Sequence, residues 1–114
     1  CDSPFMSRKI ISKCIKKYNG KKYDLVTNIY PRSYPKGQSV EIIKSSLFKK
    51  IYKKINKKVC ENQFTEYFYQ NSEKFKIYNI KSKKNLSKIS LAIDTKKDLI
   101  NARKNYNTIT KRYL

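Results

Sequence analysis

Histidine is absent from the chain, as is tryptophan. Without imidazole there is no His general base or acid and no use of the commonest zinc ligand. The three cysteines, Cys1, Cys14 and Cys60, are odd in number. Their spacing fits no disulfide or metal framework. Cys14 lies among Ile10, Ile11, Ile15 and Tyr18 and reads as a small core hydrophobe, so a reducing, cytoplasmic setting is the expectation. Glycine occurs twice and proline three times, which leaves little low-complexity or linker sequence. No apolar run approaches the ~18 residues that a membrane helix needs, and no secretory apolar segment is present. Acids are scarce: eight in 114 residues.

What is abundant is lysine. The formal net charge is +20, carried by 24 lysines and four arginines, Arg8, Arg32, Arg103 and Arg112. Such a charge first suggests nucleic acid, and a small basic RNA-binding protein of ribosomal type is the alternative expectation. Arginine, whose planar fork suits phosphate and base edges, is however the minority cation. Lysine is accompanied by many Asn, Ile and Tyr residues, all read from A/T-rich codons. Coding bias and a solvated surface therefore account for much of the charge, and neither nucleic acid nor membrane is the expected partner.

Periodicity gives an α/β order. Residues 8–18 predict a helix, with Ser7 as N-cap, an apolar face of Ile10, Ile11, Cys14, Ile15 and Tyr18, and a stop at Asn19-Gly20. Residues 23–29 and 40–43 predict strands around a loop over 30–38 that holds two prolines and a glycine. A helix is expected over 45–58 and a short one within 62–70. Strands are expected over 75–80 and 88–93, the latter from the alternation of Ile89, Leu91 and Ile93. Thr95 and Asp98 form a capping-box pair before a last helix, and the tail from Thr108 is weakly patterned. The aromatic cluster of Phe64, Tyr67, Phe68 and Tyr69 is expected to pack rather than to stack bases, and 45–58 to be an amphipathic surface helix. These elements predict a mixed sheet, too short for a complete doubly wound one. With an opening at Cys1 rather than Met, the expectation is a C-terminal part of one domain.

The acids point to a site. Asp94 is expected at a strand end before a helix, and Asp2 before Ser3-Pro4 at an equivalent edge, where open α/β sheets bind ligands. Two carboxylates there suit Mg²⁺ with nucleotide phosphates, and both also suit helix capping. Arg32 and Lys36, in the proline-containing loop with Gly37, are candidates to neutralise an anionic substrate, or form a solvated turn.

Five segments in order resemble the sugar-activating cytidylyltransferases. Asp2-Ser3-Pro4-Phe5-Met6 is similar to the Asp-x-Pro-Leu-Ile step of CMP-sugar-acid synthetases, and residues 23–28 to their next strand. Arg32-Ser33-Tyr34-Pro35-Lys36-Gly37-Gln38-Ser39-Val40-Glu41 resembles the basic loop of the spore coat polysaccharide biosynthesis protein F group. Thr65-Glu66-Tyr67-Phe68-Tyr69 and Ile93-Asp94-Thr95-Lys96-Lys97-Asp98-Leu99 resemble two further segments of that group, relatives of CMP-KDO synthetase and acylneuraminate cytidylyltransferase. The resemblance implies a Rossmann-like three-layer α/β/α nucleotidyltransferase fold, present as its C-terminal half over 1–114. It implies Mg²⁺ on Asp2 and Asp94, and Arg32, Lys36 and Gln38 at the sugar or phosphates. It further implies transfer of CMP from CTP to a sugar acid with release of pyrophosphate, for surface polysaccharide synthesis, by a homodimer when full length. The chain departs from the pattern at Asn62-Gln63 (Glu-His in the family), Ser90 (Arg) and Lys96-Lys97 (Pro-Glu). The family's glycine-rich CTP loop precedes the Asp2 segment, so this chain alone is expected to bind CTP poorly.

Overall fold

All three residues of β1 (Leu25–Thr27) are fully buried. The computed structural model describes residues 2–19, 22–53 and 64–114. In it β1 is the middle strand of a mixed three-stranded sheet. It pairs antiparallel with β2 (Glu41–Ile43) and parallel with β3 (Ile77–Asn79). A β-strand turns successive side chains to opposite faces, and the register here aligns Val26 with Ile42 and Tyr78, and Leu25 with Ile43 and Ile77. Both sets are apolar, so both faces need cover.

Helix α1 (Arg8–Tyr18) supplies one cover. Its Ile10 and Cys14, one turn apart, join Val26 and Tyr34 in a buried cluster flanked by Val40, Ile42 and Tyr78. On the other face Leu25 packs with Ile51 of α2 (Ser45–Tyr52) and Phe68 of α3 (Glu66–Gln70). Phe68 is completely buried, and enclosing a side chain of that size contributes about 2–3 kcal/mol. Phe64, Tyr67 and Tyr69 pack into the same cluster, as expected of the aromatic run. A 3₁₀ turn over Ser72–Lys74 then leads into β3. A third cluster joins Phe5, Leu91 and Ala102, with Ile89, Ile93, Ile109 and Tyr113 against it.

Several expectations need correction. Residues 88–93 form no strand. They run extended, with Ile89, Leu91 and Ile93 all in one cluster, but hold only an isolated parallel bridge between Ser90 and Lys36. The partner is a loop in which Pro35 has no N–H and Gly37 turns away at φ 88°, so the ladder cannot propagate. The tail is helical: after α4 (Lys96–Lys104), α5 runs over Tyr106–Tyr113. Its inner face is essentially Ile109 and Tyr113, too few apolar residues for a periodic signal. Ser7 makes no side-chain cap. Its carbonyl instead accepts from Ile10 and Ile11 N–H, and the residue is buried. The other three predicted strands, 23–29, 40–43 and 75–80, are each trimmed to three residues.

Gly20, Cys1, Cys60, Asn62, Gln63 and the continuation of the 45–58 helix beyond Lys53 lie outside the described residues. Among the described residues no helix is long and apolar enough to cross a membrane. Cys14 is a free, buried cysteine, and burial pushes its thiol above the usual value.

Candidate functional site

The site is assembled by the loop between β1 and β2. After β1, the chain passes a cis Tyr30–Pro31 bond. At Lys36 it makes two backbone bonds to the extended 88–93 segment: Lys36 N–H to Ile89 O, 2.9 Å, and Leu91 N–H to Lys36 O, 2.8 Å. Gly37 permits this approach. A Cβ there would lie 2.6 Å from Ala92 N and 2.8 Å from Leu91 C. The same extended segment holds the amino-terminal stretch through Ile93 N–H to Asp2 O, 2.7 Å.

These contacts gather Asp2, Lys36 and Asp94 at one exposed edge. Lys36 Nζ lies 2.8 Å from Asp94 Oδ2, and the bond to Asp94 raises the Lys36 pKa, with Asp98 and Asp2 adding to it. Asp2 is held below the usual carboxylate value, chiefly by the Ser3 hydroxyl donating to Oδ1 at 3.0 Å, with a small contribution from Lys36. Asp94 stands directly before the N-cap of α4. The capping there falls to its neighbours: Thr95 Oγ1 accepts from Asp98 N–H at 3.2 Å, and Asp98 Oδ2 accepts from Thr95 N–H at 2.8 Å. The side chain of Asp98 is thereby committed to the helix start, whereas that of Asp94 points to Lys36.

Among the described residues no group of three or more His, Cys, Asp or Glu side chains gathers as a metal cage. A pair of exposed carboxylates is nonetheless a donor set that fits Mg²⁺. That ion takes one or two carboxylates and completes its octahedron with phosphate oxygens and water.

Arg32 and Gln38 are placed differently from Lys36. The Arg32 guanidinium donates to Ser39 Oγ (3.0 Å) and Pro35 O (3.4 Å), which braces the loop from within. Gln38 is 2% exposed. Its amide nitrogen donates to Phe5 O at 2.8 Å and Tyr113 O at 3.1 Å. Its backbone carbonyl accepts from the side-chain nitrogen of buried Asn28 at 2.7 Å, and the Asn28 side-chain oxygen accepts from Val40 N–H. Gln38 thus ties the loop to the amino-terminal stretch and to α5.

Sequence reasoning missed a second group beside the loop. Tyr69 donates to the Glu41 carboxylate and contacts Thr27 Oγ1 at 3.0 Å. Burial, and then the bond to Glu41, push its phenol well above the usual value. The Tyr30 ring stacks on Tyr69 at 4.5 Å. Together with Ile29, Thr65, Glu66 and Gln70 the two tyrosines line an open cavity of about 480 Å³. The available signal was Glu41, one of so few acids and adjacent in sequence to the loop. Tyr69 itself was hidden in an aromatic run whose other members are core.

No family model matches the chain, and no curated protein matches it. Among solved structures, the chain is similar to a cytidylyltransferase from Leptospira borgpetersenii serovar Hardjo-bovis (strain JB197). The match has a TM-score of 0.78 and 24% sequence identity, and covers 99% of this chain. The chain spans 57% of the length of that relative. A likeness of this kind does not favour the RNA-binding alternative. Over almost its entire length, the chain carries the fold of a cytidylyltransferase, the family that its sequence resembles.

Proposed function

We propose that this chain is the C-terminal part of a single three-layer α/β/α nucleotidyltransferase domain. The reaction is transfer of CMP from CTP to an anionic sugar, with release of pyrophosphate, serving surface polysaccharide synthesis. The observation that carries the reading is the convergence of Asp2, Lys36 and Asp94 at one exposed edge, brought together from three separate segments. It stands beside the likeness in fold to a cytidylyltransferase.

Phosphoryl and nucleotidyl transfers need positioning and charge neutralisation more than covalent help. Asp2 and Asp94 would hold Mg²⁺, which when bound supplies neutralisation of phosphate charge. Lys36 is an exposed ammonium paired with Asp94, suited to meet a substrate oxyanion that draws it from that carboxylate. Tyr30 and Tyr69 present an aromatic wall with a carboxylate, Glu66, at the rim, a setting that suits the ring and hydroxyls of a sugar. Arg32 and Gln38 support the loop that carries Lys36.

The test is pyrophosphate release from CTP by the complete protein with Mg²⁺ and a panel of eight- and nine-carbon sugar acids. Release with one of them, lost in Asp94→Asn while the circular dichroism spectrum is unchanged, is the expected result. No release with any acceptor, or full turnover in Asp94→Asn, sinks the proposal.

A further inference from the structure

A cleft between α1 and α5 shares neither Lys36 nor the two aspartates with the site above. It encloses about 240 Å³. Lys9 and Lys13 reach it from α1, four residues apart and hence on one helix face. Lys111 and Arg112 reach it from α5, about a hundred positions later in the chain. The hydroxyl-bearing residues Tyr34 and Ser82 also line it, and no Asp or Glu does. Gln38 holds the two walls in place, since its amide bonds both Phe5 O, just ahead of α1, and Tyr113 O, in the last turn of α5.

Of the other cavities, those beside Tyr30 and against Ala102 have no cation in their lining, one is lined by Lys44, and one shares Lys111 and Arg112 with the cleft. Among the described residues the ion pairs are Lys36–Asp94 and Lys74–Glu73, so none of the four cleft cations has a carboxylate partner. All four cations are exposed; like charges along the lining of one concavity repel one another, and a bound anion relieves that repulsion. The volume lies below the range of about 300–1,000 Å³ usual for drug-sized ligands, which favours a small, multivalent occupant. A phosphate group carries nearly two negative charges at neutral pH and several strong acceptor oxygens, and lysine serves it well as a point charge.

We propose that the α1–α5 cleft is a binding site for a small multivalent phosphate anion of pyrophosphate size, separate from the Asp2–Lys36–Asp94 edge. The probe is inorganic pyrophosphate, titrated calorimetrically into the chain at ~0.15 M salt, where distant surface charges are screened. EDTA is included so that no divalent ion recruits the carboxylates. One anion is expected to bind per chain. Lys13→Gln/Lys111→Gln is expected to weaken binding by at least about tenfold, since each lost charge-assisted bond is worth that much or more. Lys36→Met, and Lys49→Gln/Lys50→Gln, which removes the same charge from α2, are expected to leave it unchanged. Denaturant melts of every variant confirm folding. A flat titration overturns the proposal, as does an equal loss in the α2 control. Loss in Lys36→Met would assign the anion to the other site and also overturns it. Binding of an RNA oligonucleotide without binding of pyrophosphate would mark a polyanion surface instead.

Discussion

Lys36 Nζ sits 2.8 Å from Asp94 Oδ2 although 58 residues separate them. Both side chains are about half exposed, so water and salt screen the pair and its contribution to stability is small. The pair is better read as poised charge. Lys36→Met keeps the length of the stem and removes the ammonium. In the complete protein it is expected to lower turnover by about two orders of magnitude, as loss of one charge-stabilising group does. The melting temperature of the chain should not move. A lowered melting temperature with intact turnover would make the pair structural.

Gly37 is where the loop is most constrained. Its φ of 88° is a left-handed conformation, and a Cβ would strike the backbone of Leu91 and Ala92. Neither neighbour is a side chain that can swing aside. Gly37→Ala is therefore expected to cost about 2 kcal/mol or more, read by urea denaturation. Because the same approach seats Lys36 against Ile89 and Leu91, turnover of the complete protein should fall as well. An alanine variant of full stability would mean that the loop does not need this contact.

Gln38 separates a structural role from a substrate-binding one. Replacing it by leucine keeps its bulk but leaves Phe5 O and Tyr113 O without their donor. The expected loss is about 1–3 kcal/mol of folding stability, the usual cost of stranding buried polar groups. If Gln38 served mainly to touch substrate, the variant would unfold at the wild-type denaturant concentration and only the Michaelis constant would rise.

The elements with a strong local signal were legible in the sequence. Helix α1 begins and ends where its apolar face and Asn19 place it. The Thr95–Asp98 capping box forms with both bonds present. The α/β order, the mixed sheet and the packing role of Phe68 follow from periodicity and composition. What was not legible depends on distant partners. Ile89, Leu91 and Ile93 alternate like a strand, yet whether a strand forms depends on a neighbour able to continue the ladder, and Pro35-Lys36-Gly37 cannot. Helix α5 is held by two apolar residues against Phe5 and Leu91, contacts that no local window contains. At the site, the scarcity of acids drew attention to Asp2 and Asp94. The ion pair with Lys36 and the Tyr69–Glu41 contact arise from tertiary placement alone.

Asp98 links the start of α4 to pH. Its carboxylate accepts from Thr95 N–H at 2.8 Å and Thr95 Oγ1 at 2.7 Å. Those bonds, the Thr95 side chain first, hold its pKa below the usual 3.8. A carboxylate whose folded pKa is depressed contributes stability that is fully present above its unfolded value and is lost as pH falls through the folded one. The negative charge also meets the positive end of the helix dipole. Asp98→Asn keeps an acceptor oxygen but has no charge to lose. At pH 7 the variant is expected to melt at a lower temperature than the parent chain. The gap should hold at pH values above the unfolded carboxylate value and close as pH falls through the lower folded one, once Asp98 is protonated in the parent as well. Melting curves of the two chains across that range decide the matter. A gap that stays constant into acid would show that the carboxylate acts through shape rather than charge, and a gap that widens would reverse the assigned sign of the shift.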